Sequence, residues 1–297
     1  MRKWWIVMGT LIDRVAVAER GWRSRHSALR LAVKSAEDCL RAAGRTAHEV
    51  DLLINAGIYR DRNLAEPALA ALIQQDIGAN PEEPHENAHG TFSFDVANGA
   101  CGVLTALQIA DGFLKSRAID CAMVIASDAD PGHRQSEDFP FTPTGASLLC
   151  SWSDDGRGLG RTHWENLPEH SDTFSATVGL QGGHRNVLRV HESSSADTHY
   201  AEAAALAISR CLSESHLTLE DIDAIAAAPA RDGFRAALAD RLGVATEGIT
   251  VGDDEGMHTA ALASAFALAS KSVGEPGLIL LVAVGAGITA GAALYRL

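Results

Sequence analysis

The sequence predicts an α/β protein built from two similar halves, and three observations carry the prediction. Apolar runs of strand length, "VDLLINAG" (50–57), "CAMVIAS" (121–127), "IDAIAAAP" (222–229) and "LILLVAV" (278–284), alternate with segments whose apolar residues recur at helical spacing. Segments 39–57 and 211–229, "CLRAAGRTAHEVDLLINAG" and "CLSESHLTLEDIDAIAAAP", superpose without a gap. They share Cys-Leu, an acidic residue, an aliphatic and Asp in register, at a period far too long for a solenoid. The strands are aliphatic throughout rather than alternately, which is the pattern of sheets covered on both faces and mostly parallel.

Taken in order, "MRKWWIVMGTLIDRV" reads as a first strand, since its short apolar run stops at Asp13 and no small-residue cleavage site follows. From His26 to Ala43 a helix is marked by Leu29, Val33, Ala36 and Leu40 and closed by Gly44. "IYRDRNLAEPALAAL" (58–72) then carries Arg60, Asp61, Arg62 and Glu66, a solvated charge cluster or a set of structural ion pairs. "FDVANGACGVLTALQIADGFL" (94–114) turns from an apolar run into an amphipathic helix. Residues 131–197 are rich in Pro, Gly, Ser, His and Asp, with one strand in "FTPTGASLLCSW"; the rest is expected to be loop and lid-like. The second half repeats the order: a helix over 197–213 with Ala204, Leu206, Ile208 and Leu212, a strand, and the small-residue helix "EGMHTAALASAFALASKS". "GLILLVAVGAGITAGAALY" closes the chain as two buried strands around a turn. The expected division is residues 1–150, carrying Cys101, and residues 151–297, carrying His258.

Bulk properties exclude several classes. A net charge of -13 argues against general binding to nucleic acid phosphates. Cys39, Cys101, Cys121, Cys150 and Cys211 are scattered with no CxxC, which points to reduced cytoplasmic thiols and to neither a disulfide scaffold nor zinc. No charge-free, strongly apolar run reaches the roughly 18 residues of a membrane span. With aromatics at 5% and 27 glycines, helices are expected to pack closely on sheets.

Three segments resemble the thiolase-fold condensing enzymes, specifically the β-ketoacyl-acyl-carrier-protein synthase III (ketosynthase III-like) family. "FDVANGACGVLTALQIADGFLKSRAIDCAMVIASD" is similar to the family's nucleophile segment, in which FDV-small-small-Cys opens a buried helix. "TPTGASLLC" is similar to its Gly-Asp-Gly-Ala strand, and "VAVGAGITAGAALYRL" to its closing Gly-Gly-Gly hairpin. The resemblance covers nearly the whole chain and implies an αβαβα layered fold, a homodimer, and a Cys nucleophile acylated from coenzyme A or acyl carrier protein. It also implies two polar residues, His with Asn or His with His, that bind the thioester carbonyl. Such chemistry uses a thiolate at a helix N-terminus and desolvated donors around an oxyanion.

This sequence departs from that pattern. Aligned on "FDV" and on Ala106, Leu107 and Asp111, the family's cysteine position falls on Ala100, one residue before Cys101. One residue of helix is a turn of roughly 100°, which aims Cys101 away from the pocket. Laying "NGACG" over "EGMHT" instead pairs Cys101 with His258, which sits where the family has its Asn or second His. A bulge at Asn98-Gly99 brings Cys101 back in. The family's first histidine falls on Ala228 in "AAAPARDGF", with no histidine between His216 and His258, and Arg231 or Asp232 stands near the vacated place. The chain is also shorter than the family between its first strand and first helix, where part of the coenzyme A contact belongs.

The candidate catalytic residues are therefore Cys101, either a nucleophile or a small buried thiol, and His258, either a donor to the thioester oxygen or a ring bonded to its own loop. Asn98 and Gly99 are turn residues whose amides are oxyanion-hole candidates. The other four cysteines read as core, and His133, His163, His170, His184, His191 and His199 as polar loop residues without metal-type spacing. The expected activity is an atypical acyltransferase or condensing function on acyl-CoA or acyl-carrier-protein thioesters, in fatty-acid or polyketide-type biosynthesis. The alternative is a non-catalytic partner subunit of a heteromeric ketosynthase. The thioester is the substrate, so no cofactor or metal is expected and no cofactor-binding residue is assigned. The expected partners are acyl-CoA or acyl carrier protein and a second ketosynthase chain, identical or not, with no nucleic acid and no membrane. A thioesterase-like hydrolase would need a general base that the sequence does not identify.

Overall fold

The computed structural model describes residues 9–297 apart from 20, 22–23, 25, 81–89, 133, 183–184 and 286. The first half runs β1 (Gly9–Glu19), α1 (Ala28–Ala43), β2 (Leu52–Asn55), α2 (Leu69–Ile77), β3 (Phe92–Asp95), α3 (Gly102–Lys115) and β4 (Ala122–Asp128). The chain continues through β5 (Ser136–Glu137) and β6 (Thr144–Ser153), which joins the first sheet, then β7 (Gly158–Leu159) and β8 (His163–Asn166), which join the second, and β9 (Phe174–Gln181) and β10 (Arg185–Glu192). The second half is α4 (Ala196–Glu214), β11 (Ala224–Ala228), α5 (Asp232–Leu242), β12 (Ile249–Thr250), α6 (Ala261–Ser272), β13 (Leu278–Gly285) and β14 (Thr289–Arg296). Of the expected first strand, residues 1–8 lie outside the described residues, as do His133 and His184.

Two sheets follow one plan. The first has the order β1-β6-β4-β2-β3 and the second β12-β11-β13-β14-β7, with β8 also on β14. Read from the edge formed by β3 or β12, both pass through a central parallel pair to an antiparallel one. The internal repeat extends to details: the short turns before β2 and β11 each carry a capping box, Thr46 with Glu49 and Thr218 with Asp221. Asp51 Oδ2 accepts the Cys121 amide, and its counterpart Asp223 Oδ2 accepts the amide of Leu278. The sheets are mixed rather than mostly parallel, because both end in antiparallel neighbours that need only short connections.

The layers follow from two-sided burial. Along β4, Ala122, Val124 and Ala126 face one core cluster and Met123 and Ile125 another. Along β13, Ile279, Leu281 and Ala283 face the first cluster and Leu280, Val282 and Val284 a third. The shared cluster holds α3 and α6 between the sheets, while α1 and α2 cover one outer face and α4 and α5 the other. This is the α/β/α/β/α arrangement that the resemblance implied. Strands with apolar residues on both faces read as continuous aliphatic runs, which is why their periodicity was invisible.

Close packing uses glycine where a side chain has no room. A Cβ on Gly145 of β6 would stand 2.5 Å from the carbonyl oxygen of Leu31 in α1. The buried stripe of α1 is Leu31, Ala32, Ser35, Ala36, Cys39 and Leu40, so Leu29 and Val33 lie at its margins. In α4, Ala204, Ile208 and Leu212 are buried but Leu206 is exposed. The segment 131–197, expected to be mostly loop, holds six strands including the β9–β10 hairpin. That hairpin shows little burial on either face, so it lacks the apolar alternation by which a strand is recognised. No helix among the described residues is long and apolar enough to cross a membrane.

Candidate functional site

A cavity of about 220 Å³ lies where the two halves meet. Its wall combines Ala100, just before α3, with Met257 and His258 before α6, Pro229 after β11, and Val284 and Gly285 at the end of β13. The carboxyl ends of strands and the amino ends of two buried helices thus converge on it. The helix amino ends carry unpaired backbone N–H groups and positive potential, which suit an anionic or carbonyl ligand, and the carboxyl ends of strands are where α/β sheets seat their ligands.

Cys101 does not line this cavity, and Ala100 does. The backbone at this point is irregular, as the sequence allowed: Asn98 is at φ -142°, ψ 36°, Gly99 takes φ 50°, and Gly99–Cys101 forms one tight turn before α3. That turn nevertheless leaves the Cys101 side chain fully buried behind Gly285 of the cavity wall, its thiol donating to the carbonyl of Thr289 at 3.4 Å. Burial pushes the thiol up to about 12, so the helix end beside it does not produce a thiolate. Cys101 and Ala260 are the equivalent N-caps of α3 and α6, both at φ -78°, ψ -8°. At the helix caps the halves are therefore offset by two residues from the gap-free pairing of Cys101 with His258. Asn98 and Gly99 make the turn: the Asn98 carbonyl accepts the Cys101 amide at 3.0 Å and its Nδ2 donates to Thr105 Oγ1 at 2.9 Å.

His258 does line the cavity, and its orientation is fixed from several sides. Nδ1 lies 3.3 Å from Oδ2 of Asp128, the last residue of β4. Phe141 stacks on the ring at 4.3 Å between centroids, with Tyr59 at 5.2 Å. Asp128 is held in turn: Oδ1 accepts the amides of Ile58 and Tyr59 at 3.1 and 2.9 Å. Oδ2 accepts the Thr259 amide at 2.9 Å and its hydroxyl at 2.6 Å. Burial would raise this carboxyl, but the facing His258 and these donors outweigh it and hold it below the usual carboxylate value. With Nδ1 committed to a fixed carboxylate, Nε2 is the nitrogen available for chemistry.

The place of the family's first histidine is Ala228, fully buried at the end of β11, and a charged group stands nearby. Arg231 lines the cavity, ion-paired with Glu192 and lying 2.6 Å from Asp197, with its guanidinium over Tyr200 at 5.4 Å. Tyr200 donates to Glu192 Oε1 at 3.3 Å, and burial together with that carboxylate raises its phenol. Arg231 Nε is buried without a hydrogen-bond partner among the described residues. The cluster at Arg60 is structural, for Arg60 pairs with Asp95 at 3.1 Å and Asp61 Oδ1 accepts the Ala28 amide at 2.7 Å. Sequence reasoning missed Asp128, Glu192, Tyr200 and Phe141. Only Asp128 left a signal, as an acidic residue ending a fully apolar strand.

The profile described as "3-Oxoacyl-[acyl-carrier-protein (ACP)] synthase III C terminal" matches residues 212–297. Beta-ketoacyl-[acyl-carrier-protein] synthase III of Paramagnetospirillum magneticum is 29% identical over 96% of this chain and 90% of that protein. The protein of the same name from Ehrlichia canis is 29% identical over 99% of this chain and 90% of its own length. Among solved structures, 3-oxoacyl-[acyl-carrier-protein] synthase III from Aquifex aeolicus superposes with a TM-score of 0.79 at 20% identity, covering 97% of this chain and all of that one. Xanthomonas campestris OleA, crystallised with lauric acid and lauroyl-CoA, gives 0.79 at 15% identity over 97% of this chain and 99% of that one. At these identities the structures establish the shared fold.

Proposed function

Because this chain is a ketosynthase III-like protein of the thiolase fold, we propose that it binds acyl thioesters without becoming acylated, as the non-acylating member of a heteromeric ketosynthase. One observation carries this reading: at the residue where the family's pattern places its nucleophile, the cavity is lined by Ala100 and not by Cys101. An alanine side chain cannot accept an acyl chain, and the adjacent thiol is fully buried, bonded to the Thr289 carbonyl and held protonated. What remains can still bind. The two helix ends and His258 suit a thioester carbonyl, while Arg231 is already paired with Glu192 and Asp197. At about 220 Å³ the cavity is smaller than the roughly 300–1,000 Å³ of most drug-sized ligand sites, which favours a short acyl group. A thioester of coenzyme A or acyl carrier protein is the ligand that the named relatives suggest, and the free buried cysteines are in keeping with a reducing cytoplasm.

The test is intact-mass spectrometry after incubation with a panel of short and long acyl-CoA thioesters. Wild-type protein should gain no acyl mass, while Ala100→Cys, which places a thiol at a residue lining the same cavity as His258, should gain one acyl group. An adduct on the wild-type chain that disappears in Cys101→Ala would overturn the proposal and restore the acyltransferase reading.

A second reading rests on the His258–Asp128 pair, which supplies the general base that a thioesterase needs. Water would add to the thioester carbonyl as His258 takes its proton, and the thiol would leave protonated, yielding a free acid. Thiol release that follows acyl-CoA concentration and vanishes in His258→Ala would favour it over a purely binding role.

A further inference from the structure

The structure brings together three side chains that sequence spacing kept apart. His170 lies in the short turn Pro168–Thr173 that precedes β9, and His199 and Glu202 lie one turn apart on the same side of α4. One ligand atom from each lies within 4.8 Å of the others. The two imidazoles stack with centroids 3.7 Å apart and planes 21° from parallel. His199 Nδ1 is buried and has no hydrogen-bond partner among the described residues. Buried polar nitrogens are ordinarily bonded, so this orphan on a half-buried ring, with a second imidazole and a carboxylate in reach, marks a place for a ligand.

We propose that His170, His199 and Glu202 bind one divalent transition-metal ion, with zinc the expected occupant. Two imidazole nitrogens and one carboxylate oxygen form a borderline donor set that suits zinc and leaves one position for water. Glu202 has an outer partner of the kind that orients a ligating carboxylate, for Arg241 Nη2 stands 3.4 Å from Oε2. Coordination requires the rings to open from their stacked arrangement so that their lone pairs converge. The consequence would be mechanical. The ion would clip the turn before β9 onto α4 beside the cavity, because Phe174 follows that turn, Tyr200 follows His199, and both line the wall. This site is independent of the thioester reading, since none of its ligands touches the cavity.

The test uses tag-free, chelator-treated full-length protein titrated with ZnCl₂ by calorimetry, with melting temperature followed in parallel. The expected result is one zinc per chain and a rise in melting temperature. His170→Asn and Glu202→Gln, changes at partly exposed positions, should each weaken binding at least tenfold while leaving the metal-free melting temperature and circular dichroism unchanged. His199→Ala should abolish binding. Substituting Co²⁺ should give the visible absorption of a low-coordinate N/O site, lost in the double variant His170→Asn/Glu202→Gln. The absence of any zinc-dependent stabilisation, or zinc bound equally well by that double variant, would overturn the proposal.

Discussion

Asp128 and His258 stand 3.3 Å apart across the join between the halves, the carboxylate ending β4 and the imidazole preceding α6. Asp128 also accepts three backbone amides and a hydroxyl, so it serves both the fold and the cavity. Asp128→Asn keeps the shape but sets an amide group against those donors, and should cost about 3 kcal/mol in urea unfolding, as breaking a buried charged network does. The folded carboxyl lies below its unfolded value of about 3.9. Its contribution is therefore complete above that pH and is lost as pH falls through the lower folded value. The wild type should lose stability faster than Asp128→Asn below about pH 4. Equal slopes for the two proteins would contradict the assignment.

Burial raises all five thiols: Cys39 and Cys211 to about 11, Cys101 and Cys121 to about 12, and Cys150 also well up. Native protein at pH 8 should thus be inert to a thiol reagent, with all five cysteines reacting once it is unfolded in guanidinium. Because the folded values are raised, these thiols contribute fully below the unfolded value of about 8.5, and stability should decline as pH climbs past it. Rapid labelling of Cys101 in the native state would show instead that its site opens.

Arg231 faces Glu192 and Asp197 with each carboxylate side chain less than one third exposed. Arg231→Gln should cost about 1–3 kcal/mol, because it strands two acidic groups beside each other. The double variant Arg231→Gln/Glu192→Gln should recover at least half of that loss, and simple additivity would show the pair to be uncoupled.

Gly145→Ala would press a methyl group into the Leu31 backbone and push α1 off its sheet, an overpacking cost of about 3 kcal/mol. Gly44→Ala, at φ 66° with nothing within 4 Å, should cost about 1 kcal/mol through backbone conformation alone. Similar losses at both sites would show that contact distance is not what separates them.

Helices α1, α3, α4 and α6, the buried strands such as β2, β4, β11 and β13, the internal repeat and the α/β class were legible because burial writes a local signal, whereas α2, α5 and the short strands were not read. A helix packed on one face shows a stripe, as from Leu31 to Leu40, and a strand covered on both faces shows an unbroken run, as in β13. The β9–β10 hairpin left no such signal because neither face is well buried. The site was legible only in part. The repeat brought His258 to the right end of α6 but paired it with Cys101, two residues out of the register that the helix caps show, and the choice between Ala100 and Cys101 could be narrowed to one residue of register.

Amino-acid order alone therefore determined the two-halved α/β class, the absence of a first histidine at Ala228 and the location of the question at "NGAC". Only the tertiary structure decided how the Gly99–Cys101 turn points its side chains, because that depends on the Thr289 carbonyl, 188 positions away, receiving the thiol. It likewise joined Asp128 to His258 and His170 to His199, since electrostatic partners distant in sequence share no periodicity.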